Sequence, residues 1–280
     1  MHVKPKIRRI PGDLFKYTVM SFTIVVSIFP ILWVIMSSFK TNKAILGSPF
    51  TLPKSFELTP YIDVFVNYNF LNYFKNSVII AFSATIISLL IYSLAGYIFG
   101  KFEFKFKNVL YILCTITILV PPHAKAQPIF ALIMKLGLYN TKTGLILVYS
   151  SFGLALALFV LRGTFMTIPK ELDEAALIDG ANFWKIFWKI NLPLAKPGIA
   201  TSGILMFLSF WNEYFYALIL TTGPENRTLP VQLAFFQGTF SYNYTNMFAA
   251  ITLVILPGIL VYMLVQEQVQ QSVASTGVKG

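Results

Sequence analysis

Long apolar runs separated by short polar segments dominate the chain. A helix that crosses a bilayer needs about 20 mostly apolar residues, because the hydrocarbon layer is ~30 Å thick and each residue rises ~1.5 Å. Six runs are long enough, at about 14–37, 76–99, 107–128, 144–162, 198–220 and 246–266. Pro121-Pro122 interrupts the third, and Pro30 and Pro257-Gly258 fall inside the first and sixth. Proline within a span predicts a kink whose freed carbonyls are satisfied by neighbouring helices. The longest segment between spans, 39–75, holds Pro49, Pro53, Pro60 and many aromatics, which predicts packing at the membrane surface rather than a free linker. No repeat or low-complexity tract is visible. The pattern predicts an all-α integral membrane protein with one transmembrane domain over 1–280: an N-terminal segment 1–13, spans within 14–266, and a tail 267–280.

Composition agrees with a lipid solvent. Hydrophobic residues make up 56% and charged residues 12%, about half the charge of ordinary soluble domains, and the mean hydropathy is +0.69. The net charge of +11 could suggest nucleic acid. The basic residues instead flank the apolar runs, so topology explains them better. The basic N-terminus (Lys4, Lys6, Arg8, Arg9) precedes an apolar run longer than a signal-peptide core, with no small-x-small cleavage site after it, which predicts an uncleaved first span. With the N-terminus in the cytoplasm, 14 of the 22 Lys and Arg fall on the cytoplasmic side and 8 outside. The short loop at 100–107, with Lys101, Lys105 and Lys107, votes most sharply. Six spans then place both termini and the 169–190 loop in the cytoplasm. The single Cys114 lies in an apolar stretch and reads as a small packing residue.

Residues 174–193, EAALIDGANFWKIFWKINLP, form the most informative polar segment. Thr167 is a candidate N-cap, Pro169 suits a first helical turn, and Glu171, Asp173 and Glu174 favour a helix N-terminus. Leu172, Ala175 and Ala176 share one face, flat enough for another backbone to come close. Asp179-Gly180 signals a turn, with glycine able to take positive φ. Phe183, Ile186, Phe187 and Ile190 then form an apolar stripe, with Lys185 and Lys189 on another face, and Leu192-Pro193 ends the second helix. A helical hairpin of this kind can dock a partner. It can also lie amphipathically in the lipid interface, which Trp184 and Trp188 would suit.

The spacing Glu174-Ala175-Ala176, three residues, Gly180, nine residues, Ile190, one residue, Leu192-Pro193 resembles the EAA loop of the permease subunits of bacterial ABC importers. PILWVIMSSFK (30–40), NSVIIAF (76–82) and LGLYNTKTGLIL (136–147) are similar to the sugar-importing branch, in particular the second permease of maltose-type systems, and WNEY (211–214) and GVKG (277–280) look typical of the family. The resemblance implies a type I importer permease fold with coupling helices between spans four and five. It implies docking of an ATPase subunit through Glu174, Ala175, Ala176, Asp179 and Gly180. It further implies a second permease subunit, two ATPase subunits that bind ATP and magnesium, an extracytoplasmic sugar-binding protein, a sugar cargo, and a place in the bacterial inner membrane. No cofactor is expected in this chain, and no nucleic acid.

Trp211, Asn212, Glu213 and Tyr214 are candidate pathway residues. A carboxylate inside a span is costly and faces a cavity or a partner; Glu213 could meet sugar hydroxyls or make a structural hydrogen bond to another helix. The segment Gly96 to Phe102 only superficially resembles a phosphate loop, since its glycine spacing is short and Phe102 stands where Ser or Thr is needed. His123 and His2 make no metal site, and no catalytic grouping is present, so the chain reads as a non-enzyme. The tail at 277–280 could fray or touch the ATPases. A self-sufficient secondary transporter or channel is the alternative; it would show inverted repeats and several ionisable residues within the spans.

Overall fold

The computed structural model describes residues 10–239 and 243–277, and every regular element among them is helical. In chain order these are α1 (Ile10–Ser37), α2 (Asn42–Gly47), α3 (Thr59–Asn67), α4 (Phe70–Lys101), α5 (Lys107–Thr115), α6 (Ala126–Lys135), α7 (Lys142–Phe152), α8 (Leu154–Thr167), α9 (Glu171–Ile178), α10 (Phe183–Ile186), α11 (Leu192–Leu194), α12 (Lys196–Trp211), α13 (Phe215–Leu220), α14 (Leu229–Thr239) and α15 (Tyr244–Gly277). Two 3₁₀ turns, Ile116–Leu119 and Pro122–Lys125, lie between α5 and α6, and a π-helical turn, Phe187–Asn191, lies between α10 and α11.

Three stretches are long and apolar enough alone to cross a membrane: Asp13–Ser37, Phe70–Lys101 and Tyr244–Leu264. Three bent pairs raise the number to as many as six if each pair is one span: Lys107–Leu119 with Pro122–Lys135 (105°), Lys142–Phe152 with Ala155–Thr167 (54°), and Phe183–Leu194 with Lys196–Trp211 (78°). The first and sixth expected runs are thus continuous, with Pro30 and Pro257 inside them.

The other runs need correction. The second starts at Phe70, six residues early, because the polar Asn72 and Asn76 are accommodated by carbonyls of the 224–227 loop. The third is not one span over 107–128. Val120 and Pro121 are extended, and Pro121 has no N–H with which to continue the ladder, so the chain turns through 105°. The fifth does not run to 220; α12 ends at Trp211, and Asn212 to Tyr214 separate it from α13.

Residues 69–235 and 254–277 form one contact unit. Its centre is α4, which packs along α8, α7 and α12. Small residues let the backbones approach, as expected for helices in lipid. A Cβ on Gly96 would stand 2.8 Å from the Leu161 Cβ and 3.1 Å from the Arg162 nitrogen. Ile80, Ala84, Leu145, Tyr149, Leu158 and Leu161 fill this core, each fully buried.

Residues 10–68 with 236–253 form the other unit. The part of the 39–75 segment up to Tyr68 is structured here. Thr41 Oγ1 accepts from the Ala44 amide and caps α2, and Pro60 occupies the first turn of α3. Trp33 packs edge-on against Phe248 at 5.1 Å, and the Ser38 and Tyr61 hydroxyls meet at 2.5 Å.

Candidate functional site

The expected hairpin forms, with termini set by different residues. Thr167 does not cap α9. It is the last residue of α8, and its hydroxyl donates to the Thr164 carbonyl at 2.8 Å. α9 begins at Glu171, with Glu171, Asp173 and Glu174 in its first turn, where the helix dipole favours carboxylates. It ends in a Schellman turn: the Ala181 amide donates to the Ala176 carbonyl at 2.8 Å and the Gly180 amide to the Leu177 carbonyl at 3.0 Å. That turn needs a left-handed residue, and Gly180 supplies φ +75°. Asn182 follows as the N-cap of α10, its Oδ1 accepting from the Lys185 amide at 2.9 Å. Asp-Gly-Ala-Asn is therefore a stop, a turn and a start in four residues.

The apolar stripe does what its spacing predicts. Ile186 and Phe187 are buried, and Ile186 packs with Ala176, Ala181 and Ile190. The Tyr97 ring, on the last turns of α4, gathers Phe187 at 5.2 Å, Phe165 at 5.5 Å and Phe183 at 5.6 Å. The hairpin is thus packed onto the ends of α4 and α8. Helical backbone continues through Pro193 to Leu194, so Leu192-Pro193 does not end it; the bend falls at Ala195.

A polar strut, absent from the sequence reading, fixes the hairpin further. Lys101, the final residue of α4, has a side chain only 3% exposed. Its Nζ lies 3.0 Å from Asp173 Oδ2 and donates to the carbonyls of Ile168 (2.9 Å) and Pro169 (3.2 Å). The other oxygen of Asp173 accepts from Asn191 Nδ2 at 2.6 Å. One lysine therefore joins α4, the link before α9, and α9 itself, and Asp173 carries the connection to the π turn. The wider spiral of that turn leaves the Ile186 carbonyl 3.5 Å from Asn191 Nδ2. In sequence Lys101 is one of three loop lysines with nothing to single it out, because its partner lies 72 residues away. Lys107, by contrast, pairs locally with Glu103 at 2.8 Å, and this hydrogen bond holds the exposed Glu103 carboxyl below its ordinary pKa.

The five expected docking residues divide. Glu174, Ala175, Asp179 and Gly180 are exposed, whereas Ala176 is buried and admits the second half of the hairpin. Leu172 likewise points outward, so the Leu172, Ala175, Ala176 face is not one contact surface. The exposed tip is instead apolar through Leu177 and Ile178, the latter 87% exposed.

The four pathway candidates also part. Trp211 is buried, stacks on Phe207 at 5.9 Å and donates its indole N–H to the Val254 carbonyl at 3.3 Å. Glu213 is fully engaged: its Oε2 accepts from the Tyr149 hydroxyl at 2.7 Å and the Ala217 amide at 3.1 Å, and its Oε1 from the Tyr216 amide at 2.8 Å. It caps α13 and ties that helix to α7. Asn212 and Tyr214 are the exposed members, although Asn212 Nδ2 bonds the Leu208 carbonyl. His123 packs edge-on against Phe215 at 4.4 Å.

Residues 92–275 match the family of binding-protein-dependent transport system inner membrane components. The chain is 36% identical to the diacetylchitobiose uptake system permease protein NgcG of Streptomyces coelicolor, over 89% of this chain and 83% of that one. It is 34% identical to the trehalose/maltose transport system permease protein MalG of Thermococcus litoralis, over 91% and 93%. A solved chain from a bacterial ABC transporter that imports the acidic polysaccharide alginate superposes with TM-score 0.81 at 26% identity, covering 95% of this chain and 99% of that one. A second alginate transporter structure, in complex with alginate pentasaccharide-bound periplasmic protein, shares the fold at TM-score 0.67 and 15% identity, over 98% and 99%. The matched region takes in α4 from Tyr92 onward, the strut, the hairpin and the pathway candidates, and the chain belongs to the family of binding-protein-dependent inner membrane components, the permease subunits of ABC importers.

Proposed function

We propose that this chain is one of two permease subunits of an importer for a sugar or oligosaccharide, with both termini in the cytoplasm. A soluble extracytoplasmic protein delivers the cargo. Two ATPase subunits, holding ATP and magnesium, close on nucleotide and move the α9–α11 hairpin. Relatives named for diacetylchitobiose and trehalose/maltose uptake support the cargo class. The observation that carries the coupling role is the division of the hairpin: one side is packed and strutted onto α4, while Glu174, Ala175, Leu177, Ile178 and Gly180 are left open. A segment that is rigidly attached on one face and apolar on the other suits transmission of force. Exposed Ile178 and Leu177 seat in the ATPase, with Glu174 meeting a basic or polar group beside them. Asn212 and Tyr214 are the stronger cargo-contact candidates, because Trp211 and Glu213 are already committed to internal partners.

The test is co-purification of the ATPase with single variants of the tip. Ile178→Asp and Glu174→Lys change exposed residues and leave the hairpin's buried face intact. The reading expects each to lose the ATPase and uptake together. Retention of both by both variants overturns it.

A further inference from the structure

The α2 region, at the end of the first span, carries a feature outside the proposed coupling role. The chain leaves α1 at Ser37, forms α2, and then folds back so that the Phe50 ring stacks on Phe29 at 6.3 Å. Phe29 lies eight residues inside the span, about 12 Å along its axis. The Trp33 ring sits 6.2 Å from the same Phe50, and its indole N–H donates to the Pro49 carbonyl at 2.9 Å. An indole with an apolar body and one polar tether is the side chain that marks a membrane–water interface. Phe50, Leu52 and Phe56, all more than 70% exposed, surround the turn.

Beside these residues is a cleft of about 460 Å³, lined by Lys40, Lys43, Lys54, Thr41, Thr51 and Ser55 among others. Lys40 is only 3% exposed, yet among the described residues no carboxylate pairs with it. Its ammonium donates to the Pro49 carbonyl at 2.8 Å and weakly to the Ser48 carbonyl at 3.5 Å. A lysine has three donors, and burying its charge without an anion is unfavourable. Glu57, whose carboxylate accepts from the Ser55 hydroxyl at 3.5 Å, is not among the lining residues. Three lysines and several hydroxyl-bearing residues therefore line one cleft, just past the end of an apolar span and beside exposed apolar side chains.

We infer that this cleft binds the phosphate headgroup of an anionic phospholipid, its acyl chains lying along Phe50, Leu52 and Phe56. The charge pattern selects a phosphodiester with net negative charge over a zwitterionic headgroup, and the apolar surround selects a lipid over a soluble anion. The inference holds whichever side of the membrane the first span ends on.

Native mass spectrometry of the purified complex, titrated with phosphatidylglycerol or phosphatidylcholine, tests it. Wild type is expected to retain phosphatidylglycerol preferentially. Each exposed lysine near an anionic lipid surface contributes about a fivefold preference, so Lys43→Gln with Lys54→Gln should reduce it roughly thirtyfold. Both residues are exposed, so the double variant keeps the packed core; a Lys40→Gln variant then tests the buried group. Equal retention of the two lipids, or an unchanged preference in the double variant, overturns the inference. Displacement by inorganic phosphate as readily as by the lipid makes it a simple anion site and also overturns it. So does a double variant that keeps its lipid preference but loses the extracytoplasmic binding protein, which would assign the lysines to a protein partner.

Discussion

Replacing Lys101 with methionine removes the charge that joins α4 to the α9–α11 hairpin. Methionine keeps the length of the stem, so the change isolates the ammonium. Three contacts disappear: the 3.0 Å pair with Asp173 and the bonds to the Ile168 and Pro169 carbonyls. Breaking a fully buried ion pair from one side costs about 3–5 kcal/mol, because the surviving charge is left unpaired. The Asp173 side chain retains 17% exposure and keeps Asn191, so the cost here lies lower, at about 2–3 kcal/mol. That raises the open population of the hairpin roughly 30- to 150-fold, at about 1.4 kcal/mol per factor of ten. The assay is amide hydrogen exchange across 171–179, read beside ATP-driven uptake. Exchange in that window is expected to accelerate by that factor, while the α4 core amides near Ile80 stay protected. Uptake should fall while the ATPase still binds, because the tip itself is untouched. Adding Asp173→Leu should restore much of the protection, since an apolar pair of similar volume replaces a buried ion pair at little cost. If Lys101→Met leaves exchange at 171–179 unchanged, or if the two substitutions add without coupling, the strut carries no force and the reasoning fails.

Other outcomes follow from single positions. Gly180→Ala meets no atom within 4 Å of its new Cβ, so its penalty is conformational, about 1–2 kcal/mol from the left-handed φ of +75°; a melting curve should show it without any loss of core packing. Gly96→Ala is the opposite case, since its Cβ meets Leu161 at 2.8 Å, and overpacking of about 1–3 kcal/mol should lower the melting temperature and separate α4 from α8. Glu213→Gln leaves one acceptor oxygen for three donors, so thermal stability should fall by about 1–3 kcal/mol with the KM for uptake little changed, whereas Asn212→Ala or Tyr214→Ala should raise KM; a Glu213→Gln variant of native stability with a raised KM would instead make Glu213 a cargo contact.

Apolar run length was enough to find the candidate spans and to place the first and sixth closely, because a hydrocarbon slab sets their length directly. It was weakest where backbone chemistry intervenes. Pro121 breaks the third run outright, and the fifth stops at Trp211, because Glu213 caps a new helix rather than continuing the old one. The hairpin's apolar stripe at Phe183, Ile186, Phe187 and Ile190 was legible because packing onto α4 and α8 follows the helical period. Its ends were not. Thr167 does not cap α9, because it is still inside α8, and the side-chain cap falls instead at Asn182, at the start of α10. Ala176 faces inward because the Schellman turn at Gly180 folds Ala181 back onto it. The strut was out of reach, since Lys101 and Asp173 lie 72 residues apart and meet only once α9 packs against the end of α4.

Everything rests on energy entering through the hairpin from a separate ATPase. The most direct measurement is uptake of a labelled oligosaccharide into proteoliposomes carrying this chain and its partner permease, with the ATPase subunits, the binding protein or internal ATP left out in turn. The account predicts uptake only when all three are present, and none with Glu174→Lys. Uptake that persists without the ATPase, or that follows an imposed ion gradient alone, would contradict it.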